Sequence, residues 1–237
     1  MTRARKARLG TFGVTAALLL AACSDDPAPP SPTPTTLPRA ETLLTDAAEE
    51  MRDLTSARFV LESTGEIAGL EVRRAEGVLT NEGEVQATVD LEEGGQLIEF
   101  EIVVAQDELY VKGPTGGFRK IPSFLRGTFY DPSILLDPQK GIGTLVASAR
   151  DGRTVAAEEA GGRATFRVEA TLDGEDVARL VPIGIEEDTP GTLWIGQEEP
   201  LLVQAFVELP AEEDREGTRV TVTLTEFDVG ADIQPPA

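Results

Sequence analysis

The stretch VQATVDLEEGGQLIEFEIVV, Val85 to Val104, decides how the chain folds. Val85, Ala87, Val89 and Leu91 alternate with Gln86, Thr88 and Asp90, and Ile98, Phe100, Ile102 and Val104 alternate with Glu99, Glu101 and Val103. A period of two puts one side of each segment in an apolar interior and the other in water, the mark of half-buried strands. Glu92-Glu93-Gly94-Gly95 separates the two runs, and so short a break predicts antiparallel neighbours in a meander.

The same period extends outward. Upstream, Phe59, Leu61 and Ser63 alternate with Arg58, Val60 and Glu62. Ahead of them Leu43, Ala47, Met51 and Leu54 form one stripe of an amphipathic helix over 40–54. Downstream, Tyr130 to Pro138 carries two Asp-Pro pairs. Asp137 reads as an N-cap with Pro138 at the first helical position, and Ile142, Leu145, Val146 and Ala149 continue as a helical stripe. A second block of strands is predicted near 153–159, 163–172, 191–196, 201–209 and 217–227. A short helix capped by Asp173 and carrying Val177, Leu180 and Val181 interrupts it. The pattern is α+β: a single curved antiparallel sheet with helices against one face. Its inward positions are Val, Ile, Leu and Ala with few aromatics, and the alternation is the same whether they fill an ordinary core or border an apolar space.

The first 39 residues are of another kind. Arg3, Arg5, Lys6 and Arg8 precede an uncharged run from Leu9 to Ala22, the shape of a secretory leader and too short for an ordinary spanning helix. The run closes on Leu20-Ala21-Ala22-Cys23, which matches the bacterial lipobox, so Cys23 is expected to take acyl chains (palmitate among them) and to become the first mature residue. Ser24 to Arg39 is rich in proline and threonine and reads as a tether. At ~3.1 Å per residue in polyproline II it reaches roughly 50 Å from a bilayer. The expected division is a leader over 1–22, a lipidated tether over 23–39, a folded body over 40–230 and a tail over 231–237.

Composition narrows the chemistry. The chain has 21 basic and 42 acidic residues, and removing a leader with four basic residues and no acid moves the net charge from −21 to −25. Such a body repels nucleic acid and anionic headgroups. There is no histidine, and the one cysteine is assigned to lipid, so Ser-His-Asp, Cys-His and histidine-zinc sites are excluded. Asp131 and Asp137 read as turn and cap residues, and Gly141-Ile142-Gly143 follows no strand. No catalytic residue, metal ligand or cofactor site is expected. Arg73-Arg74 and Arg119-Lys120, rare positive spots, read as solvated strand charges.

Three pieces carry a resemblance: Gly65-Glu66-Ile67-Ala68-Gly69-Leu70, the run Tyr130-Asp131-Pro132-Ser133-Ile134-Leu135-Leu136-Asp137-Pro138-Gln139-Lys140-Gly141, and Pro190-Gly191-Thr192-Leu193-Trp194-Ile195. In order and spacing, and together with the lipobox, they resemble the mycobacterial LppX/LprG-type lipoproteins over most of 40–230. Alanine stands at 68 where that family's pattern has proline. The resemblance implies a half-barrel sheet wrapped against helices on its concave face, similar to the LolA and LolB carriers, enclosing an apolar cavity. It also implies a cell-envelope lipoprotein, anchored by Cys23 on the outer face of the cell membrane. Such a protein takes di- or triacylated lipid or glycolipid from the plasma membrane toward the outer envelope, with a lipid-exporting membrane transporter as partner.

On that reading the cavity wall draws on Phe59, Leu61, Leu70, Val72, Val85, Ala87 and Val89. Ile98, Phe100, Ile102 and Val104 continue it, with Val203, Ala205, Val207, Val220, Val222 and Leu224 from the last strands. Met51, Leu54, Ile142, Leu145 and Val146 form the helical side, and Phe129 and Tyr130 beside the Asp-Pro turn line a portal. A reading of another class shares every feature except the resemblance: an envelope-anchored interaction or scaffold lipoprotein with a filled core and no cargo. Both depend on Cys23. Changing Cys23→Ala is expected to abolish labelling by an alkyne fatty acid and to leave the leader uncleaved. Intact-protein mass spectrometry checks both, and a processed, labelled variant would defeat the assignment.

Overall fold

Strands β1 (Ser56–Thr64) and β11 (Thr218–Phe227), the first and last of the chain, lie side by side at the centre of one antiparallel sheet. The structure, a computed structural model, describes residues 36–65, 72–122, 132–181, 187–209 and 217–236. Cys23 with most of the tether, Leu70, and the expected portal residues Phe129 and Tyr130 fall outside them. From β1 the chain meanders outward through β2 (Val72–Thr80), β3 (Val85–Glu93), β4 (Gln96–Ala105), β5 (Glu108–Lys112) and β6 (Arg119–Ile121). A 3-10 helix (Pro132–Leu136) and helix α2 (Ile142–Ser148) lead to the far edge. From there β7 (Arg150–Ala160), β8 (Arg163–Leu172), β9 (Thr189–Gly196) and β10 (Leu202–Leu209) meander inward to β11, with helix α3 (Gly174–Leu180) between β8 and β9. Helix α1 (Ala40–Asp53) precedes β1.

The sheet of eleven strands is open and curves into a half-barrel around the helices. Accumulated strand twist supplies part of the curvature. At Gly77 β2 and β3 come close: a Cβ there would stand 2.2 Å from the Gln86 carbonyl oxygen and 2.7 Å from Ala87 Cα, so the position requires glycine. Both edges are blunted, β6 by its length of three residues and β7 by two register breaks, which weakens them as templates for another chain.

Helix α1 buries Leu43, Leu44, Ala47, Ala48 and Met51 against the concave side, the face its stripe predicts. Glu41 in its first turn and Arg52 in its last complement the helix dipole. Its neighbour α2 crosses at backbone distance, because a Cβ on Gly143 would stand 2.9 Å from Arg52 Cγ and 3.2 Å from the Ala48 carbonyl oxygen. At the other end of α1, Ala40 and Leu44 rest on Gly152 at the start of β7. Helix α3 begins at Asp173, whose carboxylate accepts from the Glu175 and Asp176 amides at 3.0 and 3.2 Å. The expected cap at Asp137 is displaced. Asp137 Oδ1 accepts from the Gln139 and Lys140 amides, but these belong to a turn, and α2 starts after Gly141, whose amide bonds back to the Asp137 carbonyl. Two overlapping turns use the Asp-Pro signal before the helix begins.

The last residues also pack. Ile233 is 4% exposed, lying with Val103, Ala105, Tyr110 and Phe118 on the convex side of β4 and β5. The span expected to be a tail is thus a strap across the back of the sheet.

The seam between β1 and β11 is closed at one end by Asp228. Its Oδ1 accepts from the Thr55 amide at 2.9 Å and the Thr55 hydroxyl at 2.7 Å, while its own amide donates to the Ser56 carbonyl and Ser56 Oγ donates to the Val229 carbonyl. The two bonds from Thr55, its amide first and then its hydroxyl, hold the Asp228 carboxyl below its ordinary value. A carboxylate of that kind stabilises the fold above the ordinary aspartate pKa, and the contribution is lost as pH falls through the lowered folded value. Asp228→Asn keeps the left-handed backbone that residue 228 adopts (φ 51°) and removes the charge. Its urea midpoint is expected to lie below that of the unsubstituted chain at pH 7, with the gap closing below about pH 4. A gap that stays constant down to about pH 3 would contradict the assignment.

Candidate functional site

On the concave face the strand registers bring the predicted wall residues into rows. One row crosses eight strands without a polar side chain: Phe100, Val89, Ala75, Leu61, Val222, Ala205, Leu193 and Val168. The neighbouring row runs Ile102, Ala87, Gly77, Phe59 and Leu224. Beyond it lie Val104, Val85, Leu79 and Ala57, and on the other side Ile98, Leu91 and Val72. Val220 pairs with Val207, next to Ser63. Phe59, Leu61, Val72, Val85, Ala87, Val89, Val104, Val207, Val220, Val222 and Leu224 all belong to one buried apolar cluster with Leu145, Val146, Ile142, Met51 and Leu54 of the helical side.

Val203 is the exception. A register break between Leu202 and Gln204 leaves it unpaired with β9. It is buried, but its Cγ1 lies 2.7 Å from where a Cβ on Gly161 would stand, beside Thr223, and it is not among the main cluster's residues. A bulge shifts side-chain parity by one, so counting by twos from Ala205 misplaces it.

The helices do not cover this face evenly. Helix α1 packs on β7 and β9, α2 on β8, and the 3-10 helix on β2. Under them Leu172, Leu193 and Ile195 are fully buried. Along β4 the cover thins: Val104 is 2% exposed, whereas Ile102, Phe100 and Ile98 are half-buried, as are Leu91 on β3 and Val111 on β5. The half-exposed apolar surface therefore concentrates on β3 to β5, toward the Gly94-Gly95 turn.

Some residues of this face escape a reading of the sequence. On β2 the period fails, because the register breaks around Arg73 and because Ala75 and Gly77 are small. The five residues of β5, which place Leu109 and Val111 inward, are too few to show alternation.

Among the described residues the ion pairs of β2 to β6 stay off the concave face. Arg74 pairs with Glu76 and Glu62, Arg73 with Glu92, Lys112 with Glu101 and Lys120 with Glu108, all on outward or rim positions. The Glu76 hydrogen bond raises the Arg74 pKa above its ordinary value, so that guanidinium stays charged. Among the described residues two hollows lie elsewhere. One of about 370 Å³ lies between α1, α2 and the start of β7; another of about 580 Å³ is lined mainly by the outward Arg58, Glu76, Gln86, Thr88 and Glu101. Among the described residues no group of three or more His, Cys, Asp or Glu side chains could hold a metal ion, and no helix is long and apolar enough to cross a membrane. The face as described offers burial and dispersion, which are non-directional.

An open half-barrel of eleven antiparallel strands, lined with aliphatic side chains and plugged from one side by short helices, places the chain in the class of single-sheet lipoprotein half-barrels. It belongs to the LppX_LprAFG lipoprotein family, whose pattern matches residues 39–235. It is 30% identical to the lipoarabinomannan carrier protein LprG of Mycolicibacterium smegmatis, over 100% of this chain and 99% of that one. To the LprG of Mycolicibacterium hassiacum it is 30% identical over 94% of each. Among solved structures, LprF from Mycobacterium bovis superposes with a TM-score of 0.69 at 22% identity, covering 84% of this chain and 97% of that one. LppX from Mycobacterium tuberculosis does so with 0.60 at 18% identity, covering 82% and 98%. At those identities the superpositions establish the fold.

The uneven cover has a measurable consequence. Val104→Trp forces bulk into a closed part of the interior and is expected to cost ~1–3 kcal/mol. Ile102→Trp, one row nearer the open side, is expected to cost less than half as much in urea unfolding at unchanged m-value. Equal losses would mean that the interior is packed alike in both rows.

Proposed function

We propose that the protein shelters the acyl chains of a multiply acylated lipid or glycolipid against its concave face and carries them from the plasma membrane toward the outer envelope. In this reading Cys23 holds it on the extracytoplasmic face of the cell membrane. A lipid-exporting membrane transporter supplies or receives the cargo. The observation that supports it best is the apolar row across eight strands, buried under helices at one end and only half-buried at Phe100, beside the half-buried Ile98 of the next row. The name of the LprG relatives, lipoarabinomannan carrier proteins, points the same way.

An acyl chain in water costs ~0.8 kcal/mol per methylene, so a chain of ~16 carbons meets a barrier of order 10 kcal/mol in crossing an aqueous gap alone. A wall of Val, Ile, Leu and Ala removes most of that cost and tolerates varied tails, since it holds by area and not by directed bonds. Affinity near that of the bilayer suits transfer, because a carrier that holds its cargo much more tightly cannot unload. No catalytic step is assigned.

Native mass spectrometry of the protein, before and after organic extraction, tests the reading. A bound di- or triacyl mass that leaves on extraction and returns with added glycolipid is expected. Ile102→Trp is expected to cut the reloaded fraction severalfold while the fold persists. Repeatedly empty protein with no uptake would favour the scaffold lipoprotein with a filled core.

A further inference from the structure

The strand registers sort the ends of the sheet into two rims of opposite character. One carries the Asp228–Thr55 clamp, the bond from the Asn81 amide to the Thr55 carbonyl, and the polar turn Asn81-Glu82-Gly83. Just inside it Ala57, Leu79, Val85 and Val104 are buried, so this rim is sealed. The other rim can be followed pair by pair: Arg150 with Thr171, Leu172 with Thr189, Gly191 with Val207, Leu209 with Thr218, Thr64 with Arg219, Val72 with Leu91, and Glu93 with Gln96. Inside this second rim Leu91, Ile98 and Phe100 are only half-buried. On its crest, beside the Gly94-Gly95 turn, Leu97 is 66% exposed, the exposed large hydrophobic among the described residues.

The chain also enters the folded body at this second rim. Helix α1 starts at Ala40, and Ala40 and Leu44 rest on Gly152 at the start of β7, beside Arg150. The tether from Cys23 therefore joins the body on the same rim as Leu97, at the β7 edge, on the flank opposite the β3–β4 turn. A leash at that end raises the local concentration of bilayer seen by the rim and makes a weak apolar contact effective. Charge does not favour the contact: Glu93 and Glu99 stand near the crest, and Glu92 is paired with Arg73. At this crest the charge is acidic, so the contact proposed here rests on hydrocarbon.

Building on the carrier reading above, we infer that this rim, led by Leu97 at the β3–β4 turn, is the surface the protein lays on the bilayer when cargo enters or leaves. Leu97 dips among the headgroups, and acyl chains pass from the bilayer onto Ile98 and Phe100 without crossing water.

The test uses the acylated full-length protein anchored in phosphatidylcholine vesicles. Cys23 is the chain's one cysteine and its sulfur is consumed by the anchor, so Leu97→Cys supplies a single thiol for an environment-sensitive fluorophore. Glu82→Cys, on the sealed rim, is the reference. Brominated lipid is expected to quench the label at position 97 and leave that at position 82 nearly unchanged. In the same vesicles Leu97→Glu is expected to slow loading about tenfold, with uptake of a short-chain, water-dispersed diacyl lipid unchanged. Equal quenching at the two positions, stronger quenching at 82, or vesicle loading indifferent to Leu97→Glu overturns the inference. Failure of the unsubstituted protein to load from either source defeats the carrier reading instead, while the quenching comparison still judges the rim.

Discussion

The pairing of Phe59 and Leu61 on β1 with Leu224 and Val222 on β11 joins two meanders into one sheet. Each meander is a run of antiparallel strands that presents one apolar side. Only at the seam do the two apolar sides become continuous, so the row from Phe100 to Val168 exists because β1 and β11 are neighbours. The bonds of Asp228 to Thr55 and Ser56 secure one end of that seam, where both strands leave the sheet. Most of the buried apolar cluster, from Val85 on one flank to Leu172 on the other, draws residues from both halves.

Curvature then separates what the two halves do. Helices α1 and α2 cover the hollow over β7 to β9, with α3 packed on α2 and the 3-10 helix, and Leu172, Leu193 and Ile195 are closed from solvent. The opposite flank, β3 to β5, keeps the same alternation with less above it. A sheet side lined by aliphatic residues and left partly uncovered is costly in water unless something apolar visits it. The small side chains suit a visitor of variable shape, since burial and dispersion set no bond angles. The ion pairs Arg73–Glu92 and Lys112–Glu101 of the same strands sit on the far side or at the rims and solvate the body there.

Much of this was legible because it is local. Alternation over Val85 to Val104 and over Val220 to Leu224 marks strands and their inward sides, and the stripe Leu43, Ala47, Met51 marks α1, because side-chain direction follows from the repeat of each backbone. Asp173 as a cap is local in the same way. Where the backbone departs from its repeat, the reading fails. The bulge before Gln204 moves Val203 out of the row, and the break around Arg73 hides β2. A turn intervenes between Asp137 and α2, and the strap that buries Ile233 is anchored by strands more than a hundred residues away in sequence. The seam itself leaves no local trace, since every inward strand position carries similar residues. How closely α1 and α2 approach depends on contacts such as Gly143 against Ala48, which no periodicity encodes.

The place of the seam also sets a schedule. A chain is made from its amino end at ~5–20 residues per second, and β11 is the last strand to emerge. Until it does, β1 has β2 on one side and an open row of amides and carbonyls on the other, at what will become the middle of the sheet. A newborn molecule therefore spends its maturation with its most adhesive backbone bare, a state that invites misassociation with neighbouring copies. Chaperone demand should be governed by the interval before that closing strand arrives, and a truncated product lacking it would remain sticky indefinitely.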